Sequence, residues 1–154
     1  MDVDGVISLF SFGLDERPAG AYATVDGMPH FLSATAGEHL RALADDFELV
    51  WCTGWEERAD ENLPAALDLP RGLPHLTFAV PPAGARARHW KLAAIEAHAG
   101  DDRPLAWIDD DHATCQQWAR ERPGPTLLVT TDPAVGITAD HVELLRAWAA
   151  GLSD

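Results

Sequence analysis

Asp2-Val3-Asp4-Gly5 sets two carboxylates one residue apart, directly before a glycine. In an extended chain successive side chains point to opposite sides. Asp2 and Asp4 then project together while Val3 enters the core, and Gly5 allows a sharp bend behind them. Two carboxylates on one side of a strand end can share a hard cation and divide the roles of nucleophile and proton donor. Taken alone, the same four residues also describe a polar N-terminal turn.

Three further groups could join them. Thr53-Gly54 follows the apolar run Leu49-Val50-Trp51-Cys52, and Asp109-Asp110-Asp111 follows Leu105-Ala106-Trp107-Ile108. Lys91 is the sole lysine, against ten arginines, and sits near the start of an expected helix. The positive end of a helix dipole is a poor place for a cation, so Lys91 there calls for a phosphate or carboxylate partner. Singly, each has a plainer reading: a solvated lysine, a hydroxyl satisfying backbone, a helix cap with acidic neighbours. Their order and spacing along one chain make the joint reading the stronger one.

The elements that would position them alternate between strand and helix. Residues 1–4 read as the tail of a strand, 48–52, 75–80, 105–108 and 126–130 as short buried strands. Helices are expected over about 35–46, 56–67, 88–98 and 113–120, with a last one capped by Thr138 that buries Val142, Leu145 and Trp148. Residues 7–33 are irregular, with a hairpin turn at Val25-Asp26-Gly27-Met28. This alternation predicts an α/β fold, a Rossmann-like three-layer sandwich on a mainly parallel central sheet. In such sheets ligands bind beyond the carboxyl ends of the strands, where the groups above all fall.

At 154 residues the chain fits one domain, 1–154, with a small hairpin or flap region at about 7–33. A formal charge of −14 opposes strong nucleic-acid binding by the domain alone. Cys52 and Cys115 have neither metal-ligand nor disulfide-framework spacing, which fits a reducing cytoplasm. No run is long and apolar enough to cross a membrane, and the N-terminus lacks a signal-peptide pattern.

The ordered set Asp2-Val3-Asp4-Gly5-Val6, Val50-Trp51-Cys52-Thr53-Gly54-Trp55, Lys91 and Trp107-Ile108-Asp109-Asp110 resembles the haloacid dehalogenase-like (HAD) superfamily over about residues 1–115. The T-G-W and W-I-D-D forms are similar to the small, capless HAD domains associated with RNA-repair proteins. The resemblance implies a Mg²⁺-dependent phosphomonoester hydrolase working through an aspartyl-phosphate, with nucleotides or nucleic-acid ends among its plausible substrates. By that resemblance Asp2 is the nucleophile and Asp4 the acid and base. Thr53 and the N–H of Gly54 hold phosphoryl oxygens, and Lys91 offsets charge on Asp2 and the phosphoryl group. Mg²⁺ would be held by Asp2, the backbone carbonyl of Asp4 and Asp110, with Asp109 beside them orienting Lys91 or the water shell. A carboxylate two residues after the nucleophile marks phosphatases and phosphotransferases rather than dehalogenases. The alternative is a non-catalytic or weakened HAD-like interaction domain partnering an RNA-processing protein.

The departure is at the start. The family's first strand brings several apolar residues before the nucleophile, whereas only Met1 precedes Asp2, so this strand reads as truncated. Either the natural start lies upstream, or the enzyme is weakened; an upstream-extended chain would melt higher in the first case. The intervals between the motifs are too short for a large cap, which leaves an open site. Phe10, Phe12 and Tyr22 could form a small flap or simply pack. Arg86, Arg88 and His89 form the one basic cluster, a possible contact for a second phosphate or a solvated loop. Trp55, expected to be exposed after the strand-end turn, has the best claim among six tryptophans to touch substrate. His30, His75, His98 and His141 receive no role; His112 either tunes the site or starts a helix.

Overall fold

The computed structural model describes residues 1–79 and 89–152. Its N-terminal third carries an antiparallel sheet of β1 (Ser8–Leu9), β2 (Gly20–Val25) and β3 (Met28–Ser33), in the order β1-β3-β2. The hairpin turn falls where the sequence places it. Val25 faces Met28, and the two residues between them, Asp26 and Gly27, have φ of 51° and 78°. That is the backbone of a primed two-residue turn, whose twist matches that of the strands. The sequence marks a hairpin region there but not the bounds of its strands. Their faces bury in the patterns ieeieB and eeiBBB rather than in clean alternation, so no two-residue period announces them.

The parallel part is less regular than expected. Among the described residues only β4 (Leu105–Asp109) and β5 (Thr126–Thr130) form a parallel ladder, from Leu105 opposite Thr126 to Asp109 opposite Thr130. The other segments predicted as strands join through a few backbone bonds. The Met1 ammonium donates to the Val50 carbonyl at 2.9 Å, Cys52 N–H to the Met1 carbonyl at 2.8 Å, and Asp2 N–H to the Ile108 carbonyl at 2.9 Å. Trp51 in turn pairs with His75 in a single parallel bridge. Trp51 N–H donates to the Pro74 carbonyl at 2.8 Å, and Pro74 has no N–H to return. The two faces are nonetheless both covered. Trp51 and Ile108 belong to one buried cluster, whereas their neighbours Cys52 and Trp107 belong to another, as side-chain alternation requires.

The helices are α1 (Ala36–Leu43), α2 (Glu57–Asn62), α3 (Pro64–Leu67), α4 (Leu92–Ala99), α5 (Gln116–Glu121) and α6 (Ala139–Gly151). The single helix expected over 56–67 is divided because Pro64 lacks an N–H and opens α3. Helices α4 and α5 begin about three residues later than expected. Thr35 does not cap α1 with its side chain. Thr138 does cap α6, in a capping box that His141 closes with Nδ1 accepting the Thr138 N–H at 3.1 Å. The core takes Val3, Val6 and Ile7 from the first turn of chain, all fully buried, and packs them against Leu40, Leu43 and Leu145. Among the described residues no helix is long and apolar enough to cross a membrane.

Candidate active site

Asp2 is held by its own backbone. Its N–H is bonded to β4, its Oδ1 accepts the Val3 N–H at 2.8 Å, and it is 7% exposed. Lys91 stands just before α4 and is 2% exposed, which removes the solvated-surface reading. Its ammonium lies 2.7 Å from Asp2 Oδ2 and 2.6 Å from Asp109 Oδ2. The anionic partners that a helix-start lysine requires are therefore two buried carboxylates. Asp109 ends β4 and accepts two more hydrogen bonds, from Trp107 Nε1 at 3.0 Å and from the Asp111 N–H at 3.1 Å.

Charge in this cluster is unbalanced. Burial disfavours the Lys91 ammonium, but Asp2 and Asp109 outweigh it and hold its pKa above the ordinary lysine value. Burial raises the Asp2 carboxyl, Lys91 pulls it down, and Asp109 adds to the rise; the net direction is upward. Asp110, half-buried, is pushed up to about 6 by burial and by the charges of Asp109 and Asp2. One ammonium against three carboxylates leaves a site short of positive charge. Carboxylate oxygens of Asp2, Asp109 and Asp110 lie within 4.8 Å of one another, an oxygen-only donor set that suits a hard divalent cation. Asp109 already accepts three hydrogen bonds, so Asp2 and Asp110 have the greater freedom to turn toward an ion.

Gly5 makes room for Asp110. Its φ is +74°, and a Cβ there would sit 2.6 Å from Asp110 Cβ and Cγ. The Thr131 hydroxyl fastens the turn by donating to the Gly5 carbonyl at 2.7 Å. Asp4 goes elsewhere. Its side chain is half exposed, its Oδ2 accepts Trp55 Nε1 at 2.9 Å, and His30 Nδ1 stands 3.8 Å from its Oδ1. Its carboxylate is outside the group formed by Asp2, Asp109 and Asp110, because the chain turns at Asp4 and the two-residue alternation stops there.

The chain matches the family described as the HAD domain in Swiss Army Knife RNA repair proteins over residues 1–142. It belongs to that family. No curated protein and no solved structure matches it.

The other positions singled out in this HAD domain differ in burial and partners from what the sequence suggests. Thr53 is fully buried at the turn after Trp51-Cys52, and Gly54 beside it is exposed. Trp55 is not the exposed tryptophan: it is 8% exposed, edge-on to His30 with ring centroids 4.5 Å apart, and works through its indole N–H on Asp4. The exposed indole is Trp90, 46% exposed, next to Lys91. Arg86 and Arg88 lie outside the described residues. Phe12 and Tyr22 both pack against Phe31 of β3, with ring centroids at 4.9 and 5.1 Å.

Two histidines matter more than the sequence indicated. His30 earned no role from spacing, because its partner Asp4 is 26 positions away and strand β3 brings them together. His112 precedes rather than starts a helix. It is buried, packs edge-on to Trp107 at 4.6 Å, and accepts or donates at Nδ1 to the Thr130 hydroxyl at 2.9 Å. Burial lowers its pKa to about 4, so it is neutral and supports Trp107 against Asp109 rather than adding charge.

Proposed function

We propose that this HAD domain is a Mg²⁺-dependent phosphomonoester hydrolase that carries the phosphoryl group on Asp2. The observation that supports it most is the buried Lys91 ammonium shared by Asp2 and Asp109, with the Asp110 carboxylate beside them. We read Met1–Val3, residues 50–52 and residues 75–76, with β4 and β5, as one parallel sheet whose carboxyl rim carries this group. The buried free thiols of Cys52 and Cys115 fit a cytoplasmic setting.

In the first step an Asp2 carboxylate oxygen attacks phosphorus in line. The bond to the leaving oxygen breaks, its electron pair stays on that oxygen, and Asp4 supplies the proton. In the second step Asp4 takes a proton from water, the resulting oxygen attacks phosphorus, and the bond to Asp2 breaks with its electrons returning to the carboxylate. Thr53 and the Gly54 N–H hold phosphoryl oxygens, and Lys91 keeps Asp2 ionised despite its burial. Asp2, Asp110 and the Asp4 carbonyl would hold Mg²⁺, which supplies positive charge against the phosphoryl oxygens. Asp109 orients Lys91. The half-exposed Asp4 leaves the site open to a bulky substrate such as a nucleotide or nucleic-acid end, while the net charge of −14 disfavours a long duplex. Phosphate release from a panel of phosphomonoesters, with Mg²⁺ and with chelator, tests the reading; no release from any member would sink it.

Trp55→Phe keeps the ring against His30 but removes the donor that aims Asp4. We expect kcat to fall roughly tenfold, short of the 10²–10⁴ that general acid–base catalysis supplies in full. KM should change little, and an unaltered kcat would show that the indole N–H does not position the acid.

Asp110 gives a pH dependence. Its folded pKa lies above the ordinary carboxylate value, so its favourable share of stability in metal-free protein is present at low pH. That share is lost as pH rises through about 6. Mg²⁺ needs the ionised form, so its stabilising effect runs the other way. The rise in Tm on adding Mg²⁺ should be larger at about pH 7.5 than at about pH 5. Asp110→Asn should flatten that difference; an equal rise at both pH values in the parent protein would exclude Asp110 as a ligand.

A further inference from the structure

Beside the proposed phosphoryl site stands an aromatic wall that the chemistry above does not use. Trp90 is 46% exposed, and its ring centroid lies 5.1 Å from the Lys91 ammonium that contacts Asp2. An edge of the ring approaches Gly54, where a Cβ would be 3.6 Å from it, and His89 lies nearly parallel to the indole with ring centroids 6.1 Å apart. Phe78 supports it edge-on with centroids 4.6 Å apart. Phe78 is itself fixed, since its N–H donates to Glu56 Oε1 at 2.9 Å. Glu56 holds a φ of +49°, a strained backbone for a residue with a Cβ, in the loop that presents Thr53 and Gly54. A half-exposed tryptophan on a fixed support, one residue from the lysine of the site, has no structural need for that exposure.

Resting on the phosphatase reading, we infer that Trp90 is a stacking platform for a nucleobase attached to the phosphate being removed. Every base offers a π-face to an indole, so such a platform accepts many sequences and distinguishes nucleotides from phosphorylated sugars or polyols. It also suits an acidic protein. Stacking needs no positive surface, and a single terminal nucleotide brings few phosphates into the field of a chain with formal charge −14.

The test compares adenosine monophosphate with ribose 5-phosphate, which has the sugar and phosphate without the base. The ratio of their kcat/KM values should fall about 5- to 100-fold in Trp90→Ala, the range that base–aromatic stacking supplies, and largely recover in Trp90→Phe. An unchanged ratio, or an equal loss on both substrates, would overturn the platform. A second arm needs no turnover. With ¹⁵N-labelled tryptophan, the Trp90 indole resonance (identified by its absence in Trp90→Phe) should show a ring-current shift with adenosine monophosphate and Mg²⁺ that ribose 5-phosphate does not produce. If the wild-type protein releases phosphate from neither compound nor from any other member of the panel, yet the resonance shifts, the phosphatase reading fails and the platform stands. If it hydrolyses both without that shift, the platform fails and the phosphatase reading stands.

Discussion

Asp2→Asn is expected to lower Mg²⁺-dependent phosphate release by at least about 10³-fold, the scale seen when a nucleophile is removed from an otherwise intact site. An amide keeps the side chain's shape and its oxygen for the Val3 N–H. What it loses is the anionic oxygen 2.7 Å from the Lys91 ammonium, the atom assigned to bond phosphorus. The measurement is steady-state phosphate release with the variant's circular dichroism matched to wild type, together with acid-quench trapping of labelled phosphate on the protein. Wild type should retain label and the variant none. Equal residual rates in the two proteins would leave an HAD-like scaffold without this chemistry.

That prediction depends on Asp2 staying ionised in a place that resists ionisation. Burial and Asp109 both raise its pKa, and the only described ammonium in contact with it is Lys91. The same tension appears in Asp110, pushed up to about 6. Clustered carboxylates are costly in the folded state unless a counter-charge arrives, and sites that bind cations commonly carry such a cost in their empty form. The electrostatic strain is thus concentrated where a cation would relieve it, and a cation held there would in turn attract a phosphoryl group.

The grouping of Asp2, Lys91, Asp109 and Asp110 was legible in the sequence because each closes or opens a short apolar segment, whereas the ladders between those segments were not. The helix-dipole argument at Lys91 called for an anion, and Asp2 and Asp109 are there. Asp4 is different: alternation placed it beside Asp2, but the turn at Gly5 ends the period and its carboxylate is held instead by the Trp55 indole N–H. Trp55 and Trp90 exchanged their expected exposures. Each is flanked by a chemically interesting neighbour, and nothing in local sequence tells which ring the tertiary fold will cover. The short apolar runs were legible, yet a run's length does not say how many of its amides find partners. For Met1–Val3 and 50–52 only a few do.

Lys91→Met should show how much of the fold this cluster commits. The substitution preserves an unbranched, mostly apolar stem and removes the charge, leaving Asp2 and Asp109 buried with no ammonium between them. Breaking a buried ion pair from one side costs about 3–5 kcal/mol, since the remaining charge is uncompensated. For a chain of this size that corresponds to a Tm lower by roughly 10 °C or more. The carboxylates can escape by taking up protons, so the loss should shrink as pH falls and their charge disappears. Adding Asp2→Asn to Lys91→Met removes one of the stranded charges and should return part of the lost stability. A cycle of the two single variants and the double variant measures that coupling directly. If Lys91→Met melts within about 2 °C of wild type at neutral pH, or if the Asp2→Asn effect is the same with and without Lys91, the ammonium is not what neutralises Asp2, and its role would have to be sought at the phosphoryl group alone.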